Sequence, residues 1–224
     1  MNEQLKKIEN EISRLKGELE EQPGNSRKQA QLGELLSRIG DYDGAVIHFK
    51  LATAIDPTLL DVQLRYANIL VRQCNISGAL ASFSMVQVYK PQNWLRLKMA
   101  LLLPPIVESV NQIAILRART GQALRTLLAD DNLEIHNPPR DGGSLFYVAY
   151  YGQDDRSLYE QLAQLYAKAT PGLTMVAPHC DKLPADRGSR KIKVGFVSSF
   201  FFDHSIGRLN IGLIANLDRE KFDV

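Results

Sequence analysis

The chain has 224 residues, 45% of them apolar, and 27 Lys and Arg against 25 Asp and Glu give a formal charge of +2. This composition suits one or two domains with ordinary cores and offers no broad basic field for nucleic acid or an anionic membrane surface. The opening MNEQLKKIENEISRL lacks the apolar centre of a secretory signal, and no apolar run approaches the roughly 18 to 20 residues that span a bilayer, so a cytoplasmic location is expected. Cys74 and Cys180 are single and form no CxxC, which gives no support to a disulfide framework or a zinc site.

In chain order, Leu5, Ile8, Ile12, Leu15 and Leu19 form an alternating three-and-four seam. It predicts a capping helix over 1–24, or a short coiled coil. Self-comparison then finds a period: Ala45 and Ala79, Phe49 and Phe83, and Pro57 and Pro91 are each 34 residues apart. That spacing is the signature of the tetratricopeptide repeat, a helix hairpin that buries its apolar face only against a neighbour. Region 25–92 therefore divides into repeats 26–59 and 60–93. The first holds Leu32, Gly33, Leu36, Gly40, Tyr42, Ala45, Phe49, Ala52 and Pro57 in register. The second keeps Tyr66, Ala67, Leu70, Ala79, Phe83 and Pro91, while Cys74 takes the place of the turn glycine and Val86 that of the last small residue. Small residues let paired helices approach, and the phenylalanines fill the space between units. Cys74 falls within a helical pattern and reads as a small core residue. Pro23, another 34 residues before Pro57, puts the first helix in the place of a second helix of an incomplete unit, although Glu11 and Glu18 stand where such a unit wants small residues.

Beyond Pro91 the period fades into a helical connector over 93–177. Helices are predicted over Leu95–Leu103 and Val107–Leu128, parted by Pro104 and Pro105, with a loop at 132–143. LFYVAYY, from Leu145 to Tyr151, reads as a buried irregular segment. A helix from Asp155 to Ala169 carries Leu158, Leu162 and Leu165 on one face, has Asp154 or Asp155 as its cap, and stops at Pro171-Gly172. Residues 178–190, with two prolines and a glycine among charges, form the linker to the final segment.

That final segment, 191–224, reads as a buried strand (Ile192, Val194, Phe196, Val197), a loop carrying His204, a helix marked by Ile206, Leu209, Leu213, Ile214 and Leu217, a charged turn at Asp218–Lys221 and the start of a second strand at Phe222. An α/β domain is begun and not completed. In open parallel sheets, ligands collect outside the carboxyl ends of strands, which is where His204 falls. Imidazole titrates near neutrality, so there it can take a proton from a hydroxyl or hydrogen-bond a phosphate or sugar. Asp203 can orient it, Gly207 opens the next helix, and Arg208 adds a positive charge at a potential anion site. Neither GxGxxG nor a Walker loop is present, which weighs against a dehydrogenase or a P-loop enzyme. His48 reads as a surface or groove residue of the first repeat; His136 and His179 fall in loops without metal-ligand spacing.

Helical repeats followed by Lys193-Val194-Gly195-Phe196-Val197-Ser198-Ser199, then Phe202, His204, Leu209 and Lys221-Phe222, resemble the nucleocytoplasmic protein O-GlcNAc transferases and their bacterial relatives. LFYVAYYGQDDRSLYEQLAQLYAKATPGL is similar to the connecting region of bacterial members. The resemblance covers most of the chain and is most specific between Lys191 and Leu209. It implies the fold class α followed by α/β: an all-α tetratricopeptide solenoid and the truncated start of a Rossmann-like GT-B domain. It also implies an inverting glycosyltransferase that moves N-acetylglucosamine from UDP-GlcNAc to Ser or Thr hydroxyls of proteins, with the repeats binding the acceptor. Nothing visible in the sequence requires a metal or other cofactor. His204 matches the family's active-site histidine, and Asp203, Ser205 and Arg208 are its expected substrate-binding neighbours. Animal members carry Gly-Asn before that histidine and Pro-Thr-Ser-His after it. Here Phe202-Asp203 precede it, Ser205-Ile206-Gly207-Arg208 come after it, and Arg208 stands in place of the second histidine, which leaves the donor open to a related fucose-transferring branch. The fragment by itself is expected to be inactive. The reading from another class is a non-catalytic repeat adaptor whose groove binds a peptide.

Overall fold

The computed structural model describes residues 2–136, 143–178, 180 and 191–224. The chain divides into two units, Met1–Met175 and Val176–Val224.

The first unit is a helical repeat array. Helices α2 (Ser26–Arg38) and α3 (Tyr42–Ile55) form one hairpin, α4 (Leu60–Arg72) and α5 (Ile76–Tyr89) form the next, and α3 packs on α4. The register follows from size. A Cβ on Gly33 would lie 3.0 Å from Phe49 Cδ1 and 3.2 Å from the Ala45 carbonyl oxygen, so glycine lets α2 close on α3. Ala45, Phe49, Ala79 and Phe83 are all buried, as their 34-residue spacing requires.

The turns inside both hairpins share a construction. Gly40 has φ +87° and Cys74 has φ +59°, left-handed conformations that glycine adopts without cost and cysteine does not. Cys74 is thus an exposed turn residue, not the small core residue the helical pattern suggested; the chain has left α4 before reaching it. Directly afterwards Asp41 Oδ1 accepts from Gly44 N at 2.9 Å, and Asn75 Oδ1 accepts from Gly78 N at 3.0 Å. Each cap satisfies one free amide of the next helix.

Helix α1 (Asn2–Glu21) lays Ile12, Leu15 and Leu19 against α2 and leaves Leu5 exposed, so its seam serves a capping helix. Glu18 pairs with Lys28 of α2 at 3.1 Å, and Arg14 bridges Glu11 and Glu18. Both glutamates lie at the margin of the packed face, which is how α1 holds a second-helix place without small residues there.

Past Pro91 the helices shorten. α6 (Asn93–Ala100) has 8 residues where α2 and α4 have 13, and α7 (Val110–Leu128) begins later than the predicted Val107. Pro104 and Pro105 lack amide donors and restrict the residues before them, so Leu101–Ser109 crosses without helix until Ser109 caps α7 by accepting from Gln112 N at 3.2 Å. LFYVAYY becomes a 3-10 turn, Phe146–Tyr151. Its period of three buries Leu145, Val148 and Tyr151 and exposes Phe146, Tyr147 and Tyr150, so the segment is regular and only half buried. Tyrosines fix it: Tyr151 donates to the Pro104 carbonyl at 2.7 Å, and Tyr159 donates to that of Leu145 at 3.2 Å. Helix α8 (Arg156–Ala169) ends before the 3-10 turn Pro171–Thr174. Asp155 stands at its N-cap but gives its carboxylate to Arg117 of α7, and Asp154 Oδ1 accepts from Arg156 N instead.

In the second unit, β1 (Ile192–Lys193) pairs in parallel with β2 (Phe222–Asp223), in register Ile192 with Phe222 and Lys193 with Asp223. Helix α9 (Ser205–Ala215) lies between them in sequence, which makes a βαβ unit. The buried strand expected from Ile192 to Val197 is shorter and exposed, because regular pairing reaches only as far as its partner. Two two-residue strands are the whole sheet among the described residues, and no Rossmann-like GT-B domain is evident there. No residue of α9 is buried. The 178–190 linker, apart from Pro178 and Cys180, lies outside the described residues.

Candidate functional site

His204 is the N-cap of α9, with φ −133° and ψ 155°, and its Nδ1 accepts from Ile206 N at 3.2 Å. A lone pair engaged this way keeps the proton of the neutral ring on Nε2, which leaves Nε2–H as the donor. The ring is half-buried by its own loop: it stacks on Phe200, centroids 4.8 Å apart at 28°, and lies 5.6 Å from Phe202. It is therefore not turned into an apolar interior.

Of the predicted neighbours, Asp203 and Arg208 meet each other and not His204. Arg208 Nε and Nη2 lie 2.8 and 2.6 Å from Asp203 Oδ1, an exposed pair whose direct stabilisation is small. Adjacent side chains diverge, whereas a residue one turn into the helix can reach back over its start. Ser205 is exposed as the first residue of α9.

Gly207 does more than open the helix. A Cβ there would lie 2.5 Å from the Phe202 carbonyl oxygen and 3.0 Å from that of Phe200, so the loop curls over a position that admits only glycine. Beside it a cavity of about 530 Å³ is lined by Phe201, Phe202, Asp203, Arg208, Ile211 and Ile214. The signal for Phe200 and Phe202 as the cradle of His204 is the FFF run directly before Asp203.

In the repeats, His48 Nδ1 lies 2.7 Å from Gln29 Oε1, and Gln29 Nε2 donates to the Pro23 carbonyl at 3.0 Å. Burial, reinforced by Lys16 and opposed by Asp41, holds the His48 pKa below its ordinary value. His48 thus links the start of α2 to α3, half-buried between them. A cavity of about 360 Å³ between α2 and α4 is lined by Arg27, Gln31, Glu34, Asp61 and Arg65, with Glu34 and Arg65 paired at 2.8 Å. His136 is exposed, 3.8 Å from Glu134; His179 lies outside the described residues. Among the described residues no cluster of His, Cys, Asp or Glu could hold a metal ion, and no helix is long and apolar enough to cross a membrane.

No protein-family model matches the chain, and no curated protein does. Among solved structures it is similar to one described as "MamA RS-1 ArsTM double mutant", with 17% identity and a TM-score of 0.47 over 74% of this chain and 86% of that chain.

Proposed function

We propose that the chain is the N-terminal portion of a protein glycosyltransferase similar to the O-GlcNAc transferases, acting in the cytoplasm, with the repeats binding a protein acceptor. One observation carries this reading: a parallel βαβ unit places His204 at its strand-to-helix loop, in the sequence context that resembles that family. The apolar character of α9 supports it. Leu209, Ile211 and Leu213 are 79%, 68% and 58% exposed, and helices of parallel α/β sheets carry such residues because further strands and layers cover them.

In the proposed reaction the Ser or Thr oxygen attacks the anomeric carbon of UDP-GlcNAc as the bond to UDP breaks, so the sugar inverts and the hydroxyl proton leaves to a base. With Nδ1 committed to the cap, His204 serves as an Nε2–H donor to a donor or acceptor oxygen, a positioning role. Acting as base would require it to give up the cap. The test is transfer of labelled N-acetylglucosamine from UDP-GlcNAc to protein acceptors by the protein expressed from its complete reading frame. His204→Asn keeps an N-cap acceptor and removes the ring, and it is expected to lower kcat/KM by about a hundredfold. Unchanged turnover removes His204 from the mechanism; no transfer of any nucleotide-linked sugar removes the reading.

The second reading is a non-catalytic repeat adaptor, favoured by the concentration of packed structure in Met1–Met175 and by the openness of the surroundings of His204. Acceptor capture without sugar transfer by the complete protein selects it.

A further inference from the structure

We infer that the trough between α5 and α7 is a docking site for a short acidic, aliphatic peptide segment. The trough arises where the repeat period breaks. α6 is too short to complete a third hairpin, and the Leu101–Ser109 crossing carries the chain away before α7 begins. α5 and α7 each pack on α6 and, among the described residues, make little contact with one another. The space left open is a cavity of about 910 Å³ continued by one of about 340 Å³, and Leu80 and Arg119 line both. Aliphatic side chains face each other across it, Ile76 and Leu80 on one side and Ile115 and Leu116 on the other, with Gln73, Asn75, Ser77 and Gln112 along its polar margin. Ile106 and Ile115 are 76% and 60% exposed, apolar surface that a bound partner would remove from water.

Charge decides which partner. Arg119 stands where the two cavities meet, half-buried, with its guanidinium donating to the Leu102 carbonyl. Among the described residues no carboxylate lies within ion-pair distance of it, whereas Arg96, the other cation along the trough, is held by Asp130 at 2.6 Å. Glu108 also lines the wider cavity, but it is exposed on the crossing. A half-buried guanidinium that no carboxylate neutralises among the described residues, set between aliphatic side chains, is complementary to a carboxylate flanked by aliphatic side chains; a neutral or basic segment leaves that charge unmet. From Gln112 to Leu127, α7 runs about 22 Å at 1.5 Å per residue, room for about six or seven extended residues. The site is independent of the sugar-transfer reading.

An array of nine-residue peptides with a central glutamate among leucine, isoleucine and valine, each with twins bearing glutamine or lysine at the centre, tests this against the full chain. Glutamate members are expected to be retained and, by fluorescence anisotropy, to bind about tenfold more tightly than their glutamine twins, with lysine twins weakest. Arg119→Gln should abolish that difference. Ile115→Ser, at an exposed wall position, should weaken every member while leaving thermal unfolding unchanged, which keeps the test valid if Arg119→Gln does not fold. Retention of no member, equal binding of the twins, selectivity that survives Arg119→Gln, or binding that ignores Ile115→Ser overturns the proposal. Self-association that Ile115→Ser disrupts, without peptide retention, assigns the trough to a second copy instead.

Discussion

Cys74 holds a left-handed φ that Gly40 occupies in the preceding hairpin. The Cβ makes this conformation unfavourable by roughly 1–2 kcal/mol, part of which returns as the greater unfolded-state freedom of glycine. Cys74→Gly is therefore expected to stabilise the protein by about 0.5–1 kcal/mol, read as a raised urea midpoint; a lowered midpoint contradicts the turn geometry. His48 carries a pH dependence set by its burial. Burial favours its neutral form in the folded protein, so the unfolded chain takes up the proton first as pH falls. Stability from this residue is complete above the unfolded value of 6.5 and declines as pH falls through it. Urea midpoints at pH 7.5 and 5.5 should differ less in His48→Gln than in wild type, and an unchanged difference excludes His48 as the titrating group.

At the level of elements, the paired caps Asp41 and Asn75 are as periodic as the packing positions. Removing the cap of α5 by Asn75→Ala should cost about 1 kcal/mol, whereas Ser77→Ala, exposed one residue into the same turn, should cost little; denaturant titration of the two variants separates them. The hairpins are legible in the sequence because each of their packing residues must recur at one spacing. The caps and their glycines, Gly44 and Gly78, obey the same 34-residue spacing and pass unnoticed when only apolar positions are compared. The 3-10 turn at Phe146–Tyr151 is not legible: the aromatics crowded into LFYVAYY mask a three-residue period that only the buried set reveals. Within the candidate site, the placement of His204 after a strand follows from the sequence. The pairing of Asp203 with Arg208 depends on how α9 begins, and the ring stacking on Phe200 depends on how the loop folds back over Gly207.

At the scale of the molecule, every residue of the three apolar clusters lies between Ile8 and Ala169, inside the first unit. A chain of residues 1–175 should keep its helicity and a Tm within about 2 °C of the parent in thermal circular dichroism. A loss of cooperative unfolding would mean that the second unit contributes to that core. The two units thus divide the physical work: one has a core and grooves, the other an apolar helix with none of its residues buried.

The three clusters succeed one another along the chain, from Ile8 to Ile69, from Val46 to Leu102, and from Leu97 to Ala169, and none joins residues from the two ends of the array. Each can close as soon as its own stretch has left the ribosome, without waiting for distant sequence. Synthesis and folding can therefore proceed in step from the amino terminus, with the largest burial of leucine side chains, around α7 and α8, completing last.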